Sequence, residues 1–170
     1  MIADILDVEQ LRAQDQPDFT ERPLAPLLVQ AIETLSPYAK SREVELAFKH
    51  SNAPNGLLRL HEGRVLRLIS NLLSNAIKAS DKGMSVEVGL SETGCGFWVK
   101  DQGAGMPPDL QNVLFERFSR GNNYRVKEGH GLGMSIAKAI VDQHLGNITF
   151  ETAEGEGTTF FVKFPALSSE

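Results

Sequence analysis

Leu66–Ser80 reads LRLISNLLSNAIKAS, and its spacing organises the reading of the whole chain. At about 100° per residue, a helix here puts Asn71, Asn75 and Lys78 within roughly 60° of one another. Leu66, Ile69, Leu73, Ala76 and Ile77 fall on the opposite face, an apolar stripe of the kind that buries a helix against a core. The polar face is the unusual one. Two side-chain amides at i, i+4 and an ammonium at i+7 aim oxygens, N–H donors and a positive charge in one direction. For a single Asn pair a solvated face is the ordinary reading. Asparagine is an indifferent helix former, however, and two of them in mid-helix beside a lysine point to a ligand.

Outward from this helix the periods alternate. Downstream, Gly83 ends it, Met84–Leu90 alternates as a strand, Thr93 and Gly94 turn, and Gly96–Lys100 returns as a hairpin partner. Asp101 opens a glycine-rich corner, DQGAGMPPD, in which Pro107 and Pro108 can start a small helix through Val113. SRGNNYRVKEGHG, residues 119–131, has no apolar period and predicts a mobile loop. A loop of that length in a compact domain is usually functional or disordered. Leu132–Leu145 predicts a helix with Leu132, Ile136, Ala139 and Ile140 inward and Gly146 as its stop. Two alternating strands, Asn147–Thr152 and Thr158–Phe164, close the chain around the turn AEGEG.

Upstream, Leu57–Leu60 reads as a short strand, Asn52, Pro54, Asn55 and Gly56 as a turn, and Val44, Leu46 and Phe48 as alternate positions of another strand. Leu24–Lys40 predicts a helix on the spacing of Leu24, Leu27, Leu28, Ala31, Leu35 and Tyr38, with Pro26 in its first turn and a kink at Pro37. Phe19 and Thr20 suit a brief strand. Residues 1–14 carry a short helical pattern, broken at Gln16, Pro17 and Asp18. The fold class expected is α+β: a two-layer sandwich in which helices cover one face of a single mixed, mostly antiparallel sheet.

The totals narrow the function classes. The chain has 170 residues, enough for one well-buried domain, and 23% are charged. A net charge of −5 argues against general attraction to nucleic acid or anionic lipid. No apolar run approaches the ~20 residues of a membrane-spanning helix, so no direct membrane contact is expected. Cys95 is the only cysteine, which rules out an intrachain disulfide, and His50, His61, His130 and His144 show no metal-ligand spacing. These features fit a reducing cytoplasm.

Three glycine-bearing segments follow the Asn helix. Asp101-Gln102-Gly103-Ala104-Gly105 sets a carboxylate at a strand end beside glycines that let backbone approach a flat ring; alone it also fits an ordinary turn. Gly129-His130-Gly131-Leu132-Gly133 opens a helix, where free N–H groups and the helix dipole favour an anion; alone it also fits a flexible helix entry. Gly155-Glu156-Gly157-Thr158-Thr159 is a hairpin turn whose Thr158 hydroxyl can reach a base edge or a water.

Taken in order, N-x-x-x-N-A, D-x-G-x-G, F-E-R-F (Phe115–Phe118), G-x-G-x-G and G-x-G-T resemble the N, G1, F, G2 and G3 boxes of the catalytic ATP-binding domain of sensor histidine kinases. The resemblance runs from about Phe19 to Pro165. It implies the Bergerat (GHKL) fold, shared with the heat-shock chaperone, type II topoisomerase and mismatch-repair ATPases. It implies ATP and Mg²⁺ as cofactors, with Asn75 a Mg²⁺ ligand through its amide oxygen, Asn71 beside it on the metal and phosphate side, and Lys78 adding charge. Asp101 would accept from the adenine amino group, and Gly103 and Gly105 would line the base pocket. Gly129, His130, Gly131, Leu132 and Gly133 would form the phosphate lid, and Gly157 and Thr158 would close the adenine side. Phe115 and Phe118 would anchor the lid by packing, and Arg120 or Arg125 would reach the γ-phosphate or the acceptor. Two residues depart from the family pattern. His61 stands where an Asp is frequent, which bears on helix capping. His130 stands where a small or polar residue is common, and surface exposure is its expected state.

The family phosphorylates a histidine on a preceding helical hairpin, and none of the four histidines fits that pattern. The resemblance therefore implies a domain division at 1–16, the end of that hairpin, 17–166, the catalytic domain, and 167–170, a tail. It implies a dimerisation domain carrying the acceptor and a response-regulator receiver domain as partners, with a monomeric fragment and a homodimeric parent kinase. The competing reading is a GHKL ATPase or an anti-sigma-factor serine kinase. Both favour a carboxylate at the first N-box position, where this chain has Asn71.

Overall fold

A computed structural model describes residues 18–49, 52–115 and 130–167, with backbone only for 130–132. Its elements are β1 (Thr20–Pro23), α1 (Ala25–Ser41), β2 (Glu45–Lys49), β3 (Leu57–Leu60), α2 (Glu62–Ala79), β4 (Ser85–Leu90), β5 (Gly96–Lys100), α3 (Pro108–Gln111), α4 (His130–Gln143), β6 (Asn147–Ala153) and β7 (Gly157–Lys163). Five strands form one sheet in the order β2-β4-β5-β7-β6. β2 and β4 run parallel and the other pairs antiparallel. Alternate residues Val86, Val88, Phe97, Val99, Phe160 and Val162 point into the core beneath the helices. Among the described residues no helix is long and apolar enough to cross a membrane.

Two expectations change. A single sheet was expected, but β3 pairs antiparallel with β1 in a separate two-stranded ladder. Only His61 separates β3 from α2, so the strand is held at the start of that helix and cannot reach the main sheet. Leu58 and Leu60 still face the core, at 1% and 0% exposure. Gly146 was expected to supply the left-handed helix stop, but Leu145 takes that conformation, at φ 55°. The Gly146 N–H donates to the Val141 carbonyl at 2.9 Å. What requires glycine at 146 is proximity: a Cβ there would lie 2.5 Å from the Lys163 carbonyl oxygen of β7.

The Asn helix, α2, is the centre of the helical layer. Its first turn is set by His61, whose Nδ1 accepts from the Arg64 N–H at 3.3 Å, and by Glu62 beside the positive end of the helix dipole. His61 is therefore a capping residue, as expected. α2 packs against α1 on one side, α4 on the other, and β4 and β5 below. Burial from three sides explains why its apolar stripe is wider than expected: Val65, Leu68 and Leu72 are fully buried with Ile69, Leu73 and Ile77, while Leu66 is half-buried at the rim. On α4 the inward positions are Met134, Ile136, Ala137, Ile140 and Val141, and Ala139 is half-buried instead of inward.

α2 and α4 are tied together at the end where the chain enters. The His144 ring is buried between Phe19 and Phe164, at centroid distances of 4.8 and 5.5 Å. Its Nε2 accepts from the His61 N–H at 3.1 Å, which requires that ring nitrogen to be unprotonated; Nδ1–H then donates to the Ile140 carbonyl at 2.7 Å. Burial lowers the pKa of His144, and the positive surroundings of His61 and Arg64 add to this, against the Ile140 carbonyl. A His held neutral in the fold contributes stability that is present above its unfolded value of about 6.5 and lost as pH falls through its folded value. His144→Leu is expected to cost roughly 1–3 kcal/mol at neutral pH by orphaning the His61 N–H. In urea unfolding the gap to wild type should shrink as pH falls toward about 5; a gap that is constant with pH would contradict the neutral tautomer.

Candidate functional site

The end of β5, the C-terminal half of α2 and the β6–β7 turn meet around Asp101. This residue is 4% exposed. Its Oδ1 accepts from the Gly103 N–H at 2.9 Å and the Thr158 N–H at 3.2 Å, and its own N–H donates to the Thr158 carbonyl at 2.9 Å. Both donors converge on one oxygen, and among the described residues no donor reaches Oδ2. Burial raises the carboxyl pKa, and the Gly103 and Thr158 amides pull it back. The result is a fixed acceptor oriented by backbone, with one oxygen left for a ligand donor.

The glycines bring these walls into contact. A Cβ on Gly103 would stand 2.3 Å from the Ala79 carbonyl oxygen at the end of α2. One on Gly157, at φ 89°, would stand 2.2 Å from the Asp101 carbonyl oxygen, and one on Gly105, at φ 73°, 2.0 Å from that of Ala153. What each glycine makes room for in this structure is protein backbone. They shape the slot by letting its walls close on one another.

Thr158 is buried, and its hydroxyl lies 2.9 Å from that of Thr152. The Thr152 hydroxyl also accepts from the Met106 N–H at 2.9 Å and can donate to the Gly157 carbonyl at 3.1 Å. Thr152 thus links both glycine corners, and the sequence reading missed it. The signal was available in the hairpin register, which sets Thr152 opposite Thr158.

On the polar face of α2, Asn71, Asn75 and Lys78 are all half-buried. A Cβ on Gly133, near the start of α4, would come 3.7 Å from Asn75 Nδ2 and 4.0 Å from its Oδ1, so the last glycine of the second segment meets the Asn face. Asn71 Nδ2 is buried with no hydrogen-bond partner among the described residues. A buried orphan donor is costly unless something fills its valence, so it marks the place of an acceptor. Phe115 packs on Phe150, with ring centroids 5.9 Å apart. No group of three or more His, Cys, Asp or Glu side chains among the described residues can hold a metal by itself. Phe118, Arg120, Arg125 and Gly129 lie outside the described residues, as do residues 1–16 and 168–170, and the side chains of His130, Gly131 and Leu132 are likewise not described.

Residues 60–168 match the family described as histidine kinase-, DNA gyrase B-, and HSP90-like ATPase. The sensor-like histidine kinase SenX3 of Mycobacterium tuberculosis is 31% identical over 98% of this chain, which covers 42% of that protein. The sensor histidine kinase RppB of Synechocystis is 39% identical over 64% of this chain, which covers 25% of that protein. The chain thus spans less than half the length of these curated relatives. Among solved structures, full-length ShkA in complex with AMPPNP matches 96% of this chain at TM-score 0.81 and 26% identity, over 35% of that molecule. The catalytic domain of the histidine kinase ThkA matches 87% of this chain and 95% of its own at TM-score 0.72 and 22% identity, a likeness of fold. The two-layer α+β architecture expected from the sequence is the one these domains share.

Proposed function

The chain belongs to the histidine kinase-, DNA gyrase B-, and HSP90-like ATPase family, and from that premise we propose that it binds Mg·ATP and passes the γ-phosphoryl group to a histidine on a separate domain of the same sensor kinase. The observation that carries this is the joint geometry of Asp101 and the Asn face: a fixed carboxylate oxygen at one end of α2, Asn75 about one turn back opposite Gly133 of α4, and the orphaned amide donor of Asn71 one turn further. Asp101 Oδ2 would accept from the N6 amino group of adenine, favouring it over guanine, which carries a carbonyl there. Asn71 Nδ2 would donate to a phosphate oxygen. The AMPPNP bound in the ShkA neighbour supports the same class of ligand.

The residues fit a magnesium ion bound together with the phosphates. No carboxylate cluster exists among the described residues, so their offer is amide oxygen from Asn75 with Asn71 beside it, and Mg²⁺ is commonly held by few protein oxygens plus substrate phosphates and water. When bound, the ion would neutralise phosphate charge. Lys78 would add a fixed positive charge on the same face. In the transfer, the bond from the γ-phosphorus to the bridging oxygen breaks, an imidazole nitrogen of the acceptor forms the new bond and releases its proton, and ADP leaves. Phosphoryl transfer of this kind rests on positioning and charge neutralisation.

The parent protein would be a homodimeric sensor kinase acting in the cytoplasm, its phosphohistidine passing to a response-regulator receiver domain. Hydrolysis by water is the second reading. The absence of a carboxylate at position 71 favours transfer, because an amide cannot take a proton from water. The test mixes the chain with radiolabelled ATP and a histidine-bearing dimerisation domain of the parent kinase. Label on that domain with little free phosphate is expected. Rapid phosphate release by the chain alone, with no labelled domain, would reverse the ranking.

A further inference from the structure

The segments that wall the Asp101 slot meet at the Thr152 hydroxyl. We propose that Thr152 is a positioning residue for base recognition, fixing Asp101 through Thr158 and so setting the preference for adenine; this deepens, and rests on, the nucleotide reading above. Thr152 lies half-buried on β6, directly opposite Thr158 of β7. Three groups stand within hydrogen-bond reach of its oxygen: the Met106 N–H at 2.9 Å, the Gly157 carbonyl at 3.1 Å and the Thr158 hydroxyl at 2.9 Å. A hydroxyl has one proton and two lone pairs. The Met106 N–H can only donate, and the Gly157 carbonyl can only accept. All three contacts hold together only if Thr152 gives its proton to Gly157 and accepts from both Met106 and Thr158. That arrangement uses its full capacity and leaves nothing for a ligand, so Thr152 acts through its neighbours.

Thr158 carries the effect to Asp101. Its N–H donates to Asp101 Oδ1 at 3.2 Å, its carbonyl accepts from the Asp101 N–H at 2.9 Å, and its side chain is held by Thr152. On the other side, Met106 is fixed at both of its backbone polar groups, the N–H by Thr152 and the carbonyl by Gln111 Nε2 of α3 at 2.8 Å. The Gly155 N–H donates to the Ala104 carbonyl at 2.7 Å, a second tie between the same segments. Thr152 therefore locks residues 101–106 to the β6–β7 hairpin. Both donors to Asp101 Oδ1, Gly103 and Thr158, belong to the segments it clamps. A carboxylate is rigid and planar, so fixing Oδ1 fixes the direction of Oδ2. A slack clamp would turn Oδ2 away from the adenine amino group. Guanine carries a carbonyl at that place and has no such bond to lose. The bland alternative, a hydroxyl that only stabilises the hairpin, predicts equal losses for both bases.

Isothermal titration of the 170-residue chain with AMPPNP and with its guanine counterpart GMPPNP, each with Mg²⁺, separates the two. Thr152→Val keeps the shape and removes the hydroxyl. It is expected to weaken AMPPNP by about tenfold and GMPPNP by no more than about twofold, narrowing the preference for adenine. Thr152→Ser keeps the hydroxyl and should hold both affinities within about twofold of the unaltered chain. Thermal melts confirm that each variant is folded at the titration temperature. Should Thr152→Val melt below it, Thr152→Cys, with its weaker donor and acceptor, is titrated instead and should narrow the preference in the same direction. Equal losses for both nucleotides, no loss for either, or a serine variant as impaired as the valine one would overturn the proposal. Failure of the unaltered chain to bind either nucleotide would instead overturn the nucleotide reading itself.

Discussion

Asn75→Ala should remove Mg²⁺-dependent ATP binding while leaving the fold at least as stable. The expected loss is about 100-fold or more, since on the proposed reading the substitution deletes an amide oxygen for the metal and a hydrogen-bonding group for the phosphates, together about 3 kcal/mol. The stability expectation has a separate origin. Asn75 is half-buried in the middle of α2, and alanine is the better helix former by several tenths of a kcal/mol. Neighbouring Ala76 and Ile77 already carry the packing. Affinity and stability should therefore move in opposite directions, as expected for a residue kept for a ligand. Unchanged nucleotide affinity, measured with Mg²⁺ present and with it chelated, would show that the polar face of α2 is only a solvated face.

Asp101→Asn should be equally damaging to binding. The amide keeps an oxygen for the Gly103 and Thr158 N–H groups, so the corner holds its shape. What changes is the other atom, where an acceptor oxygen becomes an NH₂ that, on the proposed reading, would face the adenine amino group, donor against donor. A lost charge-assisted hydrogen bond plus that mismatch implies about 100-fold weaker ATP and a collapse of adenine over guanine selectivity. Stability again goes the other way. The pKa of Asp101 is raised in the fold, chiefly by burial, so the contribution of this group is fully present below its unfolded value of about 3.9 and is lost as pH rises through the folded value. At neutral pH the wild type carries the cost of a buried carboxylate and the variant does not. Thermal melts should show Asp101→Asn equal to or above wild type at pH 7, with the advantage vanishing in acid. A variant clearly less stable at pH 7 would mean that the carboxylate is structural.

Much of this could be read from residue spacing. The Asn helix, its two faces and the strand pairs around Thr93-Gly94 and AEGEG follow from local periods and turn residues, which act over a few positions. The order of five motifs then carried the family. What periodicity could not supply was set by contacts between distant segments. Pairing of Leu57–Leu60 with Thr20–Pro23 depends on where α2 begins in space. Gly146 is needed because β7 passes 17 residues downstream in the chain yet within touching distance. His144 read as the unremarkable end of a helix, yet it ties α4 to the first turn of α2 across 83 residues. Thr152 sits outside every glycine motif and joins two of them. The glycine corners were more legible than the contacts that support them, because close backbone approach restricts residue types while packing accepts many solutions.

The most direct measurement is isothermal titration of the unaltered chain with AMPPNP and Mg²⁺, repeated with a guanine analogue. Saturable one-to-one binding of the adenine nucleotide, with the guanine analogue markedly weaker, is the expected result. No binding at millimolar ligand, or equal binding of both bases, would contradict the assignment of Asp101 and the Asn face of α2 to an ATP pocket.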